Sequence, residues 1–522
     1  LKAISRRSMS TVLLGQRRMG KTEIFKRVVN KLFFEQEEPD CLEKSVVPVY
    51  FSFPDFFVDR WDFCVDYVEN FLRWYTAFRL QNTDVLFKDF LLNNELLNFI
   101  QDNLPITKGL EGALNVYNGL LIKGLNNPEK WSLWLPRRVA AHEGGTIVMF
   151  LDEFQNTRLP QYNFDIVGYM QEAVESPTCP HFVTGSAVSI LGQEIIGRGA
   201  LFGRFDNESI YQMTEYWGAE LARNVAKYYQ AEIKEDMYPV ITSRCGGNPF
   251  YITALVRQAV KQGKKISDEQ AIDDLLAVDL ASGFIWGELS DQVNRWIERI
   301  NEYGITKWIL YLAALEENEQ IDVKRIQRCL KEKQGSDISL EKIRDILIKL
   351  SRGDLLEHLD LGGWFRKLKD PILADFLKAW GRVVVEGENQ TNVQDELRRE
   401  YEFLFKKVSD LKGYMAEIYM IQVLWNLQRC LLPAKYVHVA GGVQVPDMFS
   451  YIKHRVRLEA GQGREVDIQA GAGPEHWIAE SKWRYDRQVS RREIEAFLEL
   501  KPLVLEYVGR GVKTFRMWYF SY

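Results

Sequence analysis

Eight consecutive residues near the start of the chain have types and spacing that suit the binding of phosphate groups. They are Gly15, Gln16, Arg17, Arg18, Met19, Gly20, Lys21 and Thr22. The glycines permit a tight turn that points backbone N–H groups at a phosphate, the lysine can reach the β- and γ-phosphates, and the threonine hydroxyl can bind Mg²⁺. Such a pattern arises by chance in only about 2% of chains of this length. It predicts that this loop, with Glu23 in the helix that follows, binds a nucleoside triphosphate.

A pair of carboxylates follows an apolar stretch further along the chain. Asp152 and Glu153 come directly after the continuous apolar run 146–151, which is typical of a buried strand. Carboxylates at the C-terminal end of such a strand face the nucleotide crevice of an open α/β sheet. We expect Asp152 to hold Mg²⁺ through water and Glu153 to orient the attacking water. The alternative is that one or both are solvated loop residues.

Other polar residues could also contact the phosphates. The run 181–186 is strand-like and ends in hydroxyls, so Thr184 or Ser186 could contact the γ-phosphate, although Ser186 could equally cap the next helix. Arg204 could stabilise transition-state charge on the nucleotide of a neighbouring protomer, or it could form an ordinary salt bridge. Arg244, beside a Gly-Gly-Asn-Pro sequence, is a further candidate for phosphate sensing.

A second group of reactive residues, in the pattern Asp-x12-Glu-x-Lys, lies near the C-terminus. Asp467 falls in one strand-like segment, and Glu480 and Lys482 fall in another. Alternation along a strand places Glu480 and Lys482 on one face, and Asp467 joins them if the two strands pair. Two carboxylates could then hold Mg²⁺ while the lysine orients or activates a metal-bound water, which suits attack on a phosphodiester.

The spacing of this second group is weak evidence by itself, because similar patterns occur about once per chain of this size. The prediction depends on the apolar strands, on an acidic helix before them and on a basic helix at 485–500. That helix carries Arg487, Arg491 and Arg492.

Composition limits the classes of protein to which the chain can belong. Its 522 residues, 46% hydrophobic and 27% charged, are typical of a globular protein with three or four domains. A net charge of −5 excludes a polycation, so any contact with nucleic acid must be a local patch. Six cysteines without CxxC spacing favour a reducing cytoplasm over a disulfide framework or a zinc site. No run of eighteen apolar residues occurs, so we expect no membrane contact.

The strands and helices that must position the reactive residues alternate as in an α/β fold. Strand-like runs lie at 11–14, 45–53, 146–151, 181–186 and 208–213. Pro48 places the second of these strands near the edge of the sheet. Because the chain begins at Leu1, almost at the first strand, we expect further N-terminal sequence that could include a contact to the nucleotide base.

A long aromatic-rich stretch, 54–143, interrupts the α/β pattern. Helical periodicity is present over 60–80, 85–102 and 109–125. We interpret the stretch as a helical insertion whose aromatic side chains are mostly core, with a face for a protein partner as the alternative.

Over residues 10–260 the chain resembles the archaeal-type ATPase family, P-loop proteins of the AAA+/STAND branch. The motifs that carry the resemblance occur in one order: GQRRMGKT, the apolar strand into DEFQ, the strand into TGS, LFGR and CGGNPFYI. The resemblance implies a five-stranded core at 1–215 with a helical lid at 216–295. It also implies ATP as the nucleotide, and either oligomerisation or a nucleotide-driven switch.

The segments after the lid are similar to domains that accompany this ATPase in its relatives. Three helices, a hairpin and a fourth helix are predicted within 296–385, as in a winged helix, and a linker helix is predicted over 386–410. The second of the three helices could enter a DNA major groove or only pack between domains. Its basic residues are Lys324, Arg325, Arg328, Lys331 and Lys333.

Residues 411–522 are similar in element order to the PD-(D/E)xK nuclease superfamily. The resemblance implies metal ligands at Asp467 and Glu480, a catalytic Lys482, a metal-binding accessory acid at Glu417 and an extra carboxylate at Glu465. No proline precedes the aspartate, which departs from the motif, and a domain that does not cleave is the alternative.

Taken together, the motifs predict a protein that hydrolyses ATP with Mg²⁺, acts on DNA and controls a C-terminal nuclease through its nucleotide state. One alternative is a signalling or assembly ATPase whose nuclease-like domain only binds DNA or a partner. Another is a transposition or defence switch that acts by forming homo-oligomers.

Overall fold

The computed structural model of the chain describes residues 10–36, 45–54, 59–91, 93–158, 162, 164–185, 199–300, 302–335, 337–359, 362–437, 439–458, 464–482 and 489–521. The chain divides into two compact units, Leu1–Glu396 and Leu397–Tyr522.

The first unit is built on a five-stranded parallel sheet. Its strands are β1 (Ser10–Leu14), β2 (Val46–Ser52), β3 (Thr146–Asp152), β4 (His181–Thr184) and β5 (Phe205–Ser209). They lie in the order β2-β3-β4-β1-β5 and every neighbouring pair is parallel, so the α/β fold predicted from the sequence is confirmed. Pro48 lies on the edge strand β2, which is the position that tolerates a proline in a sheet.

The fifth strand lies earlier in the chain than the predicted run 208–213. β5 begins at Phe205, which is its one buried residue, and among the described strands it pairs only with β1, at the edge of the sheet. An edge strand with one face in solvent needs little apolar surface. The apolar residues Ile210 and Met213, which suggested the later strand, lie instead in the connection after β5.

Helices cover both faces of this sheet. The helix α1 (Lys21–Phe34) packs Phe25 and Val29 against Val148 and Phe150 of β3. The alternate β3 residues, whose side chains point to the opposite face, belong to a second and larger core.

Residues from the insertion fill the larger core. The insertion contains α2 (Arg60–Leu80), α3 (Asn93–Asn103), α4 (Lys108–Leu121) and α5 (Pro128–Glu143). Aromatic side chains from its helices are almost fully buried in one cluster with the strands: Phe63, Tyr67, Phe71, Phe78 and Tyr117. The interpretation of the insertion's aromatics as mostly core is therefore confirmed.

The predicted helix 85–102 is wrong in its first half. Two 3₁₀ turns, Thr83–Leu86 and Lys88–Phe90, precede α3. The buried guanidinium of Arg73 donates hydrogen bonds to the carbonyl oxygens of Val85 and Phe87 at 3.1 and 3.2 Å. Phe87, between the two turns, has extended backbone angles that interrupt any α-helix, and the contacts from Arg73 stabilise this arrangement.

A series of helices surrounds and follows the last strands of the sheet. They are α6 (Ile166–Val174), α7 (Glu215–Tyr229), α8 (Met237–Arg244), α9 (Pro249–Gln262), α10 (Glu269–Ser282) and α11 (Phe284–Ile300). The break between α8 and α9 falls at the Gly-Gly-Asn-Pro sequence. Gly247 has a φ of 66°, and a Cβ there would lie 2.4 Å from the carbonyl oxygen of Met213, so only glycine fits.

Three helices and a hairpin complete the first unit in the predicted order. They are α12 (Tyr303–Ala314), α13 (Val323–Gln334), α14 (Leu340–Arg352), β6 (Glu357–Leu359), β7 (Trp364–Arg366) and the following helix α15 (Pro371–Val384). Asp370 caps α15 and also accepts a 2.9 Å hydrogen bond from the Tyr251 hydroxyl of α9. The assignment of this segment as a winged helix stays a prediction.

One long helix, α16 (Gln390–Asn426), replaces the two helices predicted over 395–408 and 412–427. The sequence between the two predicted helices is polar but holds no proline, and a single glycine, Gly413, weakens a helix without ending it. The backbone hydrogen bonds therefore run through, and the boundary between the two units falls inside α16.

The C-terminal unit contains a four-stranded sheet. The strands lie in the sheet in chain order: β10 (Tyr451–Arg457), β11 (Glu465–Ala472), β12 (Glu475–Lys482) and β13 (Thr514–Ser521). A small two-stranded sheet and a short helix precede them in the chain: β8 (Leu431–Leu432), α17 (Ala434–Val437) and β9 (Val443–Gln444). The first two pairings of the larger sheet are antiparallel, and β12 pairs with β13 in parallel.

The predicted basic helix 485–500 is shorter in the structure. The described part contains α18 (Arg491–Leu498), which is followed by α19 (Leu500–Val508), and Arg487 lies outside the described residues. Among the residues that the structure describes, no helix has the length and apolar character needed to cross a membrane.

Candidate nucleotide cleft and carboxylate centre

The glycine-rich loop connects β1 to α1, and its shape depends on both glycines. A Cβ on Gly15 would lie 3.0 Å from the carbonyl oxygen of Ile210, so the close approach of the two chain segments favours glycine. Gly20 has a φ of 83°, in the left-handed region, and immediately precedes α1. The first N–H groups of α1 have no acceptor within the helix, so the loop lies at the end of the helix that attracts anions.

Lys21, the first residue of α1, is buried beside the loop. Its Nζ donates hydrogen bonds of 2.7 Å to the carbonyl oxygens of Gly15 and Gln16. Burial lowers the pKa of Lys21 to about 8, although the carboxylates of Asp354 and Glu153 oppose the shift. An anionic ligand would favour the charged form of this lysine, because burial alone disfavours it.

The carboxylate pair lies where β3 ends. Asp152 is 2% exposed; its Oδ2 accepts the Tyr50 hydroxyl at 3.0 Å and its Oδ1 accepts the backbone N–H of Glu153 at 2.8 Å. Glu153 has a φ of 52°, a backbone conformation that is rare outside glycine and concentrates at functional sites. The side-chain amide of Gln155 donates a hydrogen bond to the Glu153 carboxylate. Both carboxylates are therefore held in place by specific neighbours.

The loop and the carboxylate pair line one cleft of about 800 Å³. The predicted residues on its wall are Arg17, Arg18, Gly20, Lys21, Thr22, Glu23, Asp152 and Glu153. A cleft of this size is within the range of small-molecule and cofactor sites. Gly15, Gln16 and Met19 belong to the loop without lining the cleft, and Ser186 lies outside the described residues.

One wall of the cleft comes from α11, which the sequence did not suggest. Arg295, Trp296 and Arg299 line it, and the Arg299 guanidinium lies 5.2 Å from the centre of the Trp296 ring. The signal that could have found them is the i, i+4 spacing of the two arginines, which places both on one helix face. The predicted domain boundary at 295/296 divides this helix.

Arg17 and Arg18 extend from the loop to other elements of the first unit. Arg18 lies 2.6 Å from the Glu288 carboxylate of α11 and 4.6 Å from the Phe250 ring centre. Arg17 Nε lies 4.0 Å from Asp354 Oδ2, in the connection between α14 and β6. Among the described residues, Arg17 Nε and Arg18 Nη1 are buried and have no hydrogen-bond partner, and burial lowers the pKa of both arginines. Unpartnered buried donors on cations fit a phosphate ligand.

Three other predicted residues make contacts within the protein. The hydroxyl of Thr184 donates to a carbonyl oxygen of β1 at 3.2 Å. Arg204 Nε lies 2.8 Å from the Glu175 carboxylate, and Arg244 lies 2.9 Å from that of Asp273. Neither arginine lines the cleft, so within this chain each forms the ordinary salt bridge that was the alternative for Arg204. Action of Arg204 on a neighbouring protomer stays a prediction.

The second group of predicted residues comes together on the sheet of the C-terminal unit. Ile468 of β11 lies opposite Ala479 of β12, so Asp467 and Glu480 are the next residues along the two antiparallel strands. Asp467 Oδ2 accepts the backbone N–H of Ser481 at 2.9 Å. The strand pairing on which the sequence prediction depended is therefore present.

Lys482 completes this carboxylate centre, which we define as Asp467, Glu480 and Lys482. Its Nζ lies 2.6 Å from Glu480 Oε1. Burial lowers the pKa of Lys482, but the hydrogen bond and charge of Glu480 outweigh burial and the net shift is upward. Burial, assisted by the Glu480 charge, raises the pKa of Asp467 to about 6. Two adjacent carboxylates fit Mg²⁺, which prefers oxygen ligands, keeps several waters and would offset the cost of ionising Asp467 beside Glu480.

Glu417 contacts cations rather than the carboxylate centre. Its Oε2 accepts from His454 Nε2 at 2.6 Å and from Arg455 Nε at 2.8 Å, and its Oε1 accepts from Arg455 Nη2 at 3.1 Å. Glu465 lies 3.5 Å from Arg457. The described residues contain no group of three or more His, Cys, Asp or Glu that could hold a metal. Both oxygens of Glu417 are therefore engaged by cations in this structure, and its binding of a metal stays a prediction.

Many basic side chains proposed for DNA contact are paired with acids. On α13, Arg325 lies 3.1 Å from the buried Glu316 and Lys333 lies 2.7 Å from Glu386. Arg491 of α18 lies 2.8 Å from Glu495. Contact of these helices with DNA stays a prediction.

No protein-family model matches the chain, and no curated protein matches it. Among solved structures, the Walker-type ATPase PABY2304 of Pyrococcus abyssi is similar at 18% identity and a TM-score of 0.44, covering 70% of this chain and 90% of that one. The ORC2 protein of Aeropyrum pernix, in its ADPNP–ADP complexes, is similar at 14% identity and a TM-score of 0.39, covering 76% and 89%. The RuvB Holliday junction branch migration motor of Thermotoga maritima is similar at 12% identity and a TM-score of 0.31, covering 70% and 88%. Similarity at this level assigns neither a family nor an activity to the chain.

Proposed function

We propose that this chain binds ATP with Mg²⁺ in the cleft of its first unit and hydrolyses it. The observation that carries the proposal is the convergence of Lys21, Asp152 and Glu153 on one cleft, although the lysine and the acids lie far apart in the sequence. A glycine loop at a helix N-terminus, a buried lysine and a carboxylate pair at the end of a central strand are the parts that phosphoryl transfer requires.

Each part has a separate task in binding. The N–H groups of the glycine loop and the ammonium of Lys21 bind the phosphates, while the Thr22 hydroxyl and Asp152 are the residues that would hold Mg²⁺. Bound there, the metal ion would neutralise the charge of the phosphate oxygens. Tyr50 keeps Asp152 oriented, because burial raises the pKa of its hydroxyl and leaves it a donor.

Glu153 is the residue proposed to position the attacking water. Its carboxylate would accept a hydrogen bond from this water on the cleft side, and its strained backbone together with the Gln155 contact fixes its direction. Exclusion of bulk water by the α11 wall would strengthen these electrostatic contacts.

Substitution of Lys21 tests the proposal. Lys21→Ala should weaken ATP binding by about 100-fold, because charge-assisted hydrogen bonds to two phosphates are lost. Lys31→Ala is the matched control, since Lys31 lies on the same helix, is exposed and pairs with Glu35. Isothermal titration with ATP and Mg²⁺ measures both variants, and equal affinities would contradict the proposal.

For the C-terminal unit we propose Mg²⁺-dependent cleavage of DNA under control of the nucleotide state. Asp467 and Glu480 would hold the metal ion and Lys482 would orient the attacking water. The proximity of these three side chains supports this assignment, and a cleft of about 250 Å³ borders Glu480 and Lys482. We also propose that the chain forms homo-oligomers and is located in the cytoplasm. The insertion, in which Phe87 and Ile122 are exposed, is proposed to bind a protein partner.

A second candidate function is a nucleotide-driven switch that binds DNA or a partner without cleaving it. The contacts of the phosphate loop favour it. Arg17 lies 4.0 Å from Asp354 and Arg18 lies 2.6 Å from Glu288, so a carboxylate from outside the five-stranded core lies near each loop arginine. Phosphates arriving at the loop would compete for these cations and could change the position of those elements.

A further inference from the structure

Arg455 is held beside the carboxylate centre by a two-pronged contact. Its Nε and Nη2 donate to the two oxygens of Glu417 at 2.8 and 3.1 Å, and His454 donates to the same carboxylate at 2.6 Å. Glu417 is 7% exposed, whereas the Arg455 side chain is 44% exposed. The buried Glu417 carboxylate therefore holds the Nε and Nη2 edge of the guanidinium, while the Arg455 side chain still reaches solvent.

The backbone at Arg455 is unusual for a strand. Its φ is 48°, in the left-handed region, inside β10. His454 lies opposite Ile468 and Val456 lies opposite Val466, so Arg455 and Asp467 occupy corresponding positions between these two pairs, and the charge of Asp467 acts on the Arg455 guanidinium. A non-glycine residue keeps such a conformation only where its surroundings enforce it, and in sheets such irregularities redirect a side chain, often next to an active site.

The negative charge of the carboxylate centre makes a cation at the position of Arg455 favourable for binding a phosphate. The carboxylate centre carries two acids and one lysine that is already paired with Glu480. A DNA phosphate that approached these acids would be repelled unless further positive charge stood nearby. Glu417, the third acid that the nuclease resemblance would assign to a metal, has both oxygens engaged by His454 and Arg455.

We propose that Arg455 is a phosphate-binding residue of the C-terminal centre and takes the place of a second metal ion. Glu417 positions the guanidinium, Arg455 binds a non-bridging oxygen of the DNA phosphate, and Asp467 with Glu480 binds a single divalent cation. The inference rests on the proposed action on DNA, and it adds the number of metal ions and the residue that binds the phosphate.

Metal stoichiometry tests the first half of this inference. Calorimetric titration of the full chain with Mn²⁺ is compared with the same titration of Asp467→Asn, so that ions bound at the ATP cleft cancel. We expect a difference of one ion per chain. A difference of two would overturn the inference, because the centre would then hold a second ion, and no difference would overturn it together with the metal-binding role of Asp467.

DNA binding tests the second half. In fluorescence anisotropy with a short duplex in EDTA, where no cleavage occurs, Arg455→Met should weaken binding by about tenfold and reduce the salt slope by about one. Arg457→Met is the matched control, because Arg457 is two residues along the same strand, 82% exposed and paired with Glu465. Equal effects of the two substitutions, or none, would overturn the inference.

Arg455→Lys covers the case in which Arg455→Met disturbs folding, which circular dichroism would reveal. Lysine keeps the charge but cannot hold Glu417 through two bonds, so the salt slope should stay while affinity falls several-fold. Unchanged affinity would contradict the positioning role of Glu417. A wild-type protein that binds DNA through Arg455 without cleaving it would refute the proposed nuclease and leave this inference standing.

Discussion

The two candidate sites shift the pKa values of their lysines in opposite directions. Lys21 in the nucleotide cleft is buried against backbone carbonyls, and its pKa falls to about 8. Lys482 in the carboxylate centre is paired with Glu480 at 2.6 Å, and its pKa rises. A lysine that lacks a close carboxylate suits a ligand that brings its own negative charge, whereas a paired lysine suits a site that already holds acids.

The sites also differ in how they are supported. The nucleotide cleft takes its walls from a loop, a strand end and α11, so it needs the tertiary fold of the first unit. The carboxylate centre lies on two neighbouring strands and needs only their register. Changes in one site should therefore leave the chemistry of the other intact unless the two activities are coupled.

The largest expected effect is on ATP hydrolysis. Glu153→Gln should lower the turnover rate by about 100- to 10,000-fold, because the carboxylate that orients water is lost. ATP binding should be nearly unchanged, since the lysine and the loop remain. Glu172→Gln, an exposed acid on α6, serves as the control in a phosphate-release assay. Unimpaired turnover by Glu153→Gln would exclude the assigned role.

The second effect concerns the other site. Lys482→Ala should reduce Mg²⁺-dependent cleavage of duplex DNA by about 100-fold, while ATP hydrolysis measured without DNA keeps the wild-type rate. Lys453→Ala on β10, which is exposed, should cleave normally. Cleavage by Lys482→Ala at the wild-type rate would contradict the catalytic role of this lysine. It would favour the nucleotide-driven switch that does not cleave DNA.

The acidity of Asp467 should be visible in metal binding. Its pKa of about 6 lies above the ordinary 3.8, so the proton must leave before a metal binds. Mn²⁺ affinity at this centre should rise by up to about tenfold per pH unit below pH 6 and level off above it. Without metal, the folded protein holds this proton more tightly than the unfolded chain, so stability should fall as pH rises from about 4 to 6. Asp467→Asn should remove both trends in titrations and in thermal melts.

The smallest expected effect tests the switch. Asp354→Asn removes the carboxylate that competes with phosphate for Arg17 and Lys21, so ATP should bind a few-fold more tightly. Asp337→Asn is the control, because Asp337 is an exposed acid that pairs with Lys331 away from the cleft. Tighter binding by Asp354→Asn, accompanied by a change in light scattering with ATP, would sharpen the case for a switch. Weaker binding would contradict it.

The sequence could predict those parts of the protein that depend on local pattern. The glycine loop, the strand into Asp152 and the strands around Asp467 and Glu480 have apolar runs and turn residues that determine their conformation locally. The sequence could not place β5, because an edge strand has little apolar signal. It could not predict the turns at 85–90 either, because the contacts that stabilise them come from Arg73 on another helix. The sequence pattern also predicted two helices in place of α16, because polar residues interrupt the apolar pattern without ending the helix.

Which side chains share a site was determined differently in the two units. The sequence by itself determined that Lys21 begins a helix after a glycine loop and that Glu480 and Lys482 share a strand face, because both follow from backbone geometry over a few residues. Only the tertiary structure brought Trp296 and Asp354 to the phosphate loop and bound Glu417 to Arg455. Those pairings join residues distant in sequence, and their energy comes from burial and charge that exist only once the chain has folded.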